Sequence, residues 1–410
     1  GLSRSLLYNP ASSGWSPGAS FVGVGADGTN RRWYPTPTRL WDGRIVVAGG
    51  FIAPLLQDGA GNPVAAPVLN HSIEILNANG ATPTQLVTHD DPLAFAIFNA
   101  DYTHSFQLPN APDNERDVLM FGEYGVPLLL GPEAVLALGL PSEVTVRPGG
   151  VGSPMNGASS LLLPLRNEDD WGYTSGSVLI TGGGPNGAPT LTAGDIYDPS
   201  NNTWRQPSVD ILLERHHPST TLLPDGRIAV IGGHVPSGPD LDVRRVTYID
   251  PADGFTVSFG VSAMPVTRGY HTVSVLLPDR RILVAGGRTG GSTGPEDEQP
   301  TLQFLYPSYF AAADKPEILT WQPTIGYSES FTVTYSGTTP AEAVLIGLGS
   351  MTHSFDMNQR YVQLPVISVS PGSIELGPPE GPRSAPPGHY MLFLLDAGRI
   401  PSEAVIIQLL

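Results

Sequence analysis

The chain contains no cysteine. Disulfides, thiol nucleophiles and thiolate-held metals are therefore excluded within its 410 residues. Lysine occurs once, at Lys315, and the rest of the 21 basic residues are arginines. Charged residues make up only 14% of the chain, too few for a coiled coil or a disordered polyelectrolyte. The 38 acidic residues leave a net charge of −17, which argues against a nucleic-acid partner, because such binding needs clustered cations. No apolar run reaches the roughly 18 residues a membrane helix needs. The best candidate, Val126–Leu140, is broken by Gly131, Pro132 and Glu133. A leader peptide is not visible. What the chain has in quantity is glycine (48) and proline (42), a composition that favours short strands and tight turns over helices.

An internal repeat sets the architecture. RWYPTPTRLWDGRIVVAGG (32–50), HHPSTTLLPDGRIAVIGG (216–233) and RGYHTVSVLLPDRRILVAGG (268–287) share one skeleton. An apolar strand runs to an Asp-centred turn, and a Val/Ile-rich strand then ends at Gly-Gly. Tyr34 precedes Asp42 by eight residues, His217 precedes Asp225 by eight, and Tyr270 precedes Asp279 by nine. Looser copies lie at Tyr102–Gly122 and Ser153–Gly184, with turns lengthened by 110–117 and 166–176. Outer hairpins follow, clearest in DIYDPSNNTW (195–204). Four short strands per unit with a Gly-Gly stop predict an all-β protein of the kelch β-propeller type.

The chain opens on SLLYNPASSGW (5–15), which matches the outer hairpin 195–204, yet no inner strands precede it. The first blade is thus expected to be incomplete here, and an N-terminal fragment or second chain is expected to complete the ring. After residue 312 the pattern changes to period-two strands without Gly-Gly stops: Ser328–Tyr335, Ala343–Leu348, Tyr361–Ile367, His389–Leu395 and Val405–Leu410. These predict a C-terminal β-sandwich over 313–410, beside a propeller over 1–312. A polar loop, GSMTHSFDMNQRYVQL (349–364), carries His353.

Adjacent strand residues point to opposite faces unless the backbone turns, so the neighbouring Tyr270 and His271 are a chemical signal. At a strand head near a propeller axis both could reach one metal, and imidazole with phenolate suits Cu(II) or Fe(III). His216-His217 occupies the position of Trp33-Tyr34 and either lines the channel or packs. Gly23–Gly28 fits a dinucleotide-type glycine pattern, but no βαβ helix follows, so it reads as a loop. Glu296-Asp297-Glu298 reads as a solvated acidic loop after the key repeat. Asn70-His71-Ser72 and Asn201-Asn202-Thr203 fit the glycosylation sequon. His389, inside a strand, is expected to be buried packing.

Trp33-Tyr34 with DGRIVVAGG, RGYHTVSVLLPD, and MTHSFDMNQRYVQL followed by PPGHYMLFLLDAGRIPSEA resemble the galactose oxidase and glyoxal oxidase family of copper radical oxidases. The resemblance covers most of the chain. It implies a seven-bladed kelch propeller capped by an immunoglobulin-like domain whose loop delivers a histidine to copper, in a protein working outside the cell. By position it makes Tyr34 the radical tyrosinate, Tyr270 the axial tyrosinate and proton acceptor, and His271 and His353 the imidazole ligands. It implies oxidation of a primary alcohol, sugar or aldehyde with O2, releasing H2O2.

Two departures stand out. The family links its radical tyrosine to a cysteine by a thioether, and such a cross-link would need a cysteine from outside this sequence. Galactose oxidase also stacks a Trp just after the Gly-Gly of this blade, whereas Gly49-Gly50 is followed here by Phe51-Ile52. Both departures keep open a second reading, a non-catalytic propeller serving as a binding surface.

Overall fold

A computed structural model describes residues 4–9, 12–21, 32, 34–53, 56–57, 63–65, 68–70, 72–77, 84–88, 103–110, 117–121, 127–131, 138–139, 157–166, 176–183, 194–207, 215–235, 243–288 and 298–410. Gly23–Gly28, Trp33, Tyr102, His71, Glu296 and Asp297 lie outside that set. The described residues are all-β apart from 3₁₀ turns at Pro251–Asp253 and Ser308–Ala311. None of their helices is long and apolar enough to cross a membrane. The chain forms two compact units, Gly1–Met155 and Asn156–Leu410.

In the first unit, Thr36–Arg39, Ile45–Ala48, Ser72–Leu76 and Thr84–Thr88 form a four-stranded antiparallel meander. His104–Gln107, Val118–Phe121, Pro127–Leu130 and Leu138–Gly139 form a second. Leu40, Val46, Ile73, Ile75, Val118, Met120 and Leu128 fill one core. The opening strands Arg4–Asn9 and Gly14–Ser20 pair as the expected hairpin. Tyr8 stands opposite Trp15 with rings 5.0 Å apart, the same cross-strand pair as Tyr197 and Trp204 at 5.1 Å. The likeness of the two hairpins therefore extends to their cross-strand packing.

The second unit carries three further blade-like sheets, each in sequence order. Ala158–Leu162, Val178–Gly182, Asp195–Asp198 and Thr203–Arg205 form one. Ser219–Leu222, Ile228–Ile231, Thr247–Asp250 and Thr256–Phe259 form the next. Thr272–Leu276, Ile282–Gly286 and Leu302–Leu305 form the last.

The repeated residues have physical causes. Asp42, Asp225 and Asp279 each accept the backbone N–H of the Arg two residues on, at 3.0, 3.1 and 3.2 Å. The guanidinium of that same Arg closes back on the other carboxylate oxygen. Aspartate makes this turn because its short side chain reaches its own downstream backbone. The intervening residue sits at positive φ, Gly43 at +82° and Gly226 at +81°. The third repeat puts Arg280 there at +72°. Arg280 is held by the Pro401 carbonyl at 3.3 Å and lies 5.0 Å over the Phe310 ring.

The Gly-Gly stops let neighbouring sheets touch. Gly233 N–H donates to the Arg268 carbonyl at 2.8 Å, and Gly183 N–H to the Arg215 carbonyl at 3.0 Å. A Cβ at Gly232, φ +64°, would stand 2.3 Å from the Arg268 carbonyl oxygen. Gly232→Ala should therefore destabilise the second unit by about 2 kcal/mol or more. Thermal unfolding of the variant measures this, and a neutral result would mean the sheets can separate without cost.

A buried arginine repeats at the entries of three of these sheets. Arg32, Arg215 and Arg268 send Nη1 to the carbonyls of Gly49, Gly232 and Gly286, at 2.8, 3.3 and 2.6 Å. Each then reaches the third strand or its approach, at Glu74, Thr247 and Thr301 respectively.

Residues 313–410 form two sheets. One orders Pro316–Thr320, Phe331–Gly337, Ser373–Leu376 and Val366–Ser370. The other orders Thr324–Ile325, Val405–Leu409, Gly388–Asp396, Pro340–Gly347 and Tyr361–Leu364. Val344, Ile346, Tyr361, Met391 and Phe393 share one core cluster with Leu223, Ile228 and Leu276 of the preceding sheets and Tyr309 of the 3₁₀ turn Ser308–Ala311. Arg399 pairs with Asp250 at 2.7 Å, and Ala404 N–H donates to the Pro278 carbonyl at 2.8 Å. These contacts put the segment at the Asp-turn end of the sheets. His389 is exposed, contrary to the expectation of packing, because it stands at the start of Gly388–Asp396, ahead of Tyr390 to Leu395, where both faces of the strand are buried.

Candidate metal centre

Tyr270 and His271 occupy a tight turn at the head of Thr272–Leu276. Gly269 N–H donates to the Arg288 carbonyl at 2.7 Å, while Thr272 N–H and Oγ1 donate back to the Gly269 carbonyl at 3.1 and 2.6 Å. His271 takes φ +69°. The backbone therefore turns where a strand would have splayed the two side chains. Their rings stack at 3.8 Å and 29°.

His353 arrives from the C-terminal segment. The 349–364 stretch, expected as a loop, holds a short hairpin of Met351–Thr352 and Phe355–Asp356. His353 and Ser354 form its tip at φ +46° and +69°, the backbone of a primed two-residue turn. Such turns favour glycine or asparagine, and neither is present, so the tip is strained by about 1–3 kcal/mol per residue. The surroundings hold it there. Phe355 is fully buried and pairs with Ser160 in parallel. The Ser354 carbonyl accepts from Ser159 Oγ. Gln359 bridges the Leu162 N–H at 2.8 Å and the Ser160 carbonyl at 3.0 Å. Asp356 Oδ1 accepts the Ser350 and Asn358 N–H groups at 2.8 and 3.0 Å. Burial raises the Asp356 carboxyl and these two bonds oppose the rise.

The hairpin tip brings the His353 ring to 4.4 Å from His271 and 5.4 Å from Tyr270. Thr352 Oγ1 shares a hydrogen with His353 Nδ1 at 2.6 Å, the kind of second contact that orients a metal-binding imidazole. His271 Nε2 is buried and has no hydrogen-bond partner among the described residues. Burial, with Arg288 adding to it, lowers the His271 pKa. Burial, then His271, pushes His353 down to about 3. Both imidazoles are thus neutral, the form that ligates a metal. Arg288 lies 5.9 Å over the Tyr270 ring and pairs with Glu298 at 3.1 Å. Sequence reasoning missed Thr352, Asp356 and Arg288; the last follows directly on the Gly286-Gly287 stop.

Tyr34 belongs to the first unit. It is half-buried at the head of Thr36–Arg39, with φ +64°. Strand register makes its backbone counterparts His217, φ +54°, and His271, φ +69°. Counting from the Asp turn agrees, since Tyr34, His217 and His271 all stand eight residues upstream. Tyr270 is thus one place out of line, because Gly269 adds a residue between the entry arginine and the strand. His216 and His234 are backbone-bridged behind His217, at 2.8 and 3.0 Å.

Among the described residues no three of His, Asp or Glu gather as a metal cage. The donor set that does gather is two neutral imidazoles and a phenol, a combination suited to Cu(II) or Fe(III). An orphaned buried imidazole nitrogen fits such an occupant.

Known proteins share this chain's pattern to different extents. Residues 315–409 match the galactose oxidase-like early set domain. A WSC domain-containing protein of Arthroderma benhamiae is 26% identical across 98% of this chain and 42% of its own length. Galactose oxidase of Gibberella zeae is 27% identical over 57% of this chain and 36% of its own. An aldehyde oxidase of Arabidopsis thaliana is 25% identical over 92% of this chain and 64% of its own. The chain thus spans less than two thirds of the length of these relatives. The structure of a fungal alcohol oxidase in complex with copper aligns over 99% of this chain and 81% of that one, with a TM-score of 0.77 at 18% identity, a likeness of fold. Residues 315–409 thus carry a galactose oxidase-like early set domain, and most of the chain is similar to galactose and aldehyde oxidases.

Proposed function

We propose that the protein is a copper radical oxidase that converts a primary alcohol or aldehyde with O2 to the oxidised carbonyl product and H2O2. The observation that carries this is the ring-to-ring convergence of Tyr270, His271 and His353, delivered by two separate elements. His271 and His353 would hold copper with Tyr270 and Tyr34. Copper when bound supplies a one-electron acceptor and a Lewis acid for the substrate oxygen. Two electrons must leave the substrate carbon, and a Tyr34 phenoxyl would take one of them with the hydrogen from that carbon, returning to the phenol, before O2 carries both away as H2O2. Tyr270 would accept the substrate hydroxyl proton. Tyr34 and His271 share a strained backbone position, which supports a common role.

On this reading 1–312 is a seven-bladed kelch propeller and 313–410 an immunoglobulin-like cap, in a protein acting outside the cell. A thioether on Tyr34 would require a cysteine beyond this sequence. The absence of cysteine favours a second reading, a propeller that binds a partner without turnover. The experiment loads the protein with Cu(II) and assays H2O2 across a panel of alcohols, sugars and aldehydes. Peroxide formed only with copper, and lost in Tyr270→Phe, is the expected outcome. One bound copper without peroxide from any substrate would select the second reading.

A further inference from the structure

We infer that His217 is a positioning residue for Tyr270, its imidazole edge holding the phenol ring of the candidate centre in place before any metal arrives. The inference rests on the reading of Tyr270 as a working phenol.

The Tyr270 ring is gripped from several sides. His271 stacks on it, and His353 meets it edge-on at 5.4 Å and 73°. His217 meets it edge-on at 4.8 Å and 65°. His271 and His353 are themselves proposed ligands, so their contacts answer to the metal. His217 lies outside that set, and its contact does not. An edge-to-face pair is a favoured aromatic geometry and resists rotation of the ring it meets.

His217 is in turn fixed by features that packing alone does not require. It is a non-glycine residue at φ +54°, the backbone state it shares with Tyr34, His271 and His353. Strained residues of this kind gather at working sites. Its N–H donates to the Gly157 carbonyl at 2.6 Å. Its ring is backed by His234, stacked at 5.6 Å and 27°, while His216 contributes a third imidazole at 6.0 Å. Gly157 is small for the sake of this group. A Cβ there would stand 2.9 Å from His216 Nδ1 and 3.1 Å from His217 Cε1.

The test uses the copper-free protein labelled with 3-fluorotyrosine, the Tyr270 signals being assigned by their loss in Tyr270→Phe. A held ring gives two resolved fluorine resonances, one for each ring face orientation, and a freely flipping ring gives one. Wild-type protein should show two for Tyr270. His217→Asn removes the ring and keeps a residue that tolerates positive φ; it should merge the pair. His217→Phe restores an aromatic edge and should keep the pair resolved. A single averaged signal in the wild type, or two signals surviving in His217→Asn, overturns the inference. Should the Asn chain fail to fold, the Phe chain decides: a resolved pair supports the inference and a merged one overturns it. No copper is used, so the outcome stands apart from whether the protein is an oxidase. In copper-loaded protein, His217→Asn is further expected to lower kcat roughly tenfold with KM little changed, as loss of an orienting contact does.

Discussion

His353→Asn is expected to lower Cu(II) affinity by roughly 100-fold or more, since even outer-shell contacts of metal ligands are worth 10–100-fold. The reasoning starts from the hairpin. The tip at 353–354 is strained, and its anchors are Phe355, Asp356, Gln359 and the Ser354 carbonyl, none of which is the imidazole. Asparagine tolerates the left-handed backbone, so the substitution removes the ring and leaves the turn. Folding stability should change by no more than about 0.5 kcal/mol, because the side chain is half-buried and lies outside the core clusters. Calorimetric titration with Cu(II) beside a thermal melt reads both numbers. Unchanged affinity at full stability would remove His353 from the centre.

The largest stability effect is expected at the other end of the chain. Arg32 and Glu74 form an ion pair at 2.7 Å with both side chains fully buried. Burial lowers the Arg32 pKa, and Glu74 opposes the shift through its charge and hydrogen bond. Arg32 also donates to the Gly49 carbonyl, so it ties the sheet entry to the Gly-Gly stop and to the third strand. Arg32→Ala removes the guanidinium from the buried Glu74 carboxylate, and about 3–5 kcal/mol should be lost. Arg32→Met combined with Glu74→Leu replaces both charges by apolar side chains and should recover most of that loss. Urea unfolding of the three chains measures the difference. Equal losses in the single and double variants would show that packing, rather than the buried charge, sets the cost.

Local chemistry decided what the sequence revealed. The Asp turns were legible because Asp42, Asp225 and Asp279 bond residues two places away, an interaction written within three consecutive letters. The Gly-Gly stops were legible only as a repeated pair of letters, since their cause is contact with a neighbouring sheet. The opening hairpin was readable through its Tyr8 and Trp15 pair. The convergence of Tyr270, His271 and His353 was expected from a family resemblance, whereas residue pattern alone offered only two adjacent side chains.

Longer-range features were hidden. The entry arginines act across 15–42 residues, from Arg215 to Val230 and from Arg32 to Glu74, and no local pattern marks them. His271 rather than Tyr270 aligns with Tyr34 because Gly269 adds one residue, a shift that a count to Asp279 registers only as nine in place of eight. The 351–356 hairpin escaped notice because its turn lacks glycine and asparagine and is enforced by Ser159, Ser160 and Gln359. His217 could be read as channel lining or as packing until its ring was found against Tyr270.

The most direct measurement is pulsed EPR on protein loaded with one equivalent of Cu(II). Modulation from two imidazole nitrogens is expected, falling to one in His271→Ala and to one in His353→Asn, with the signal of the remaining imidazole intact in each. Copper that shows no imidazole modulation, or modulation untouched by both substitutions, would contradict the centre described here.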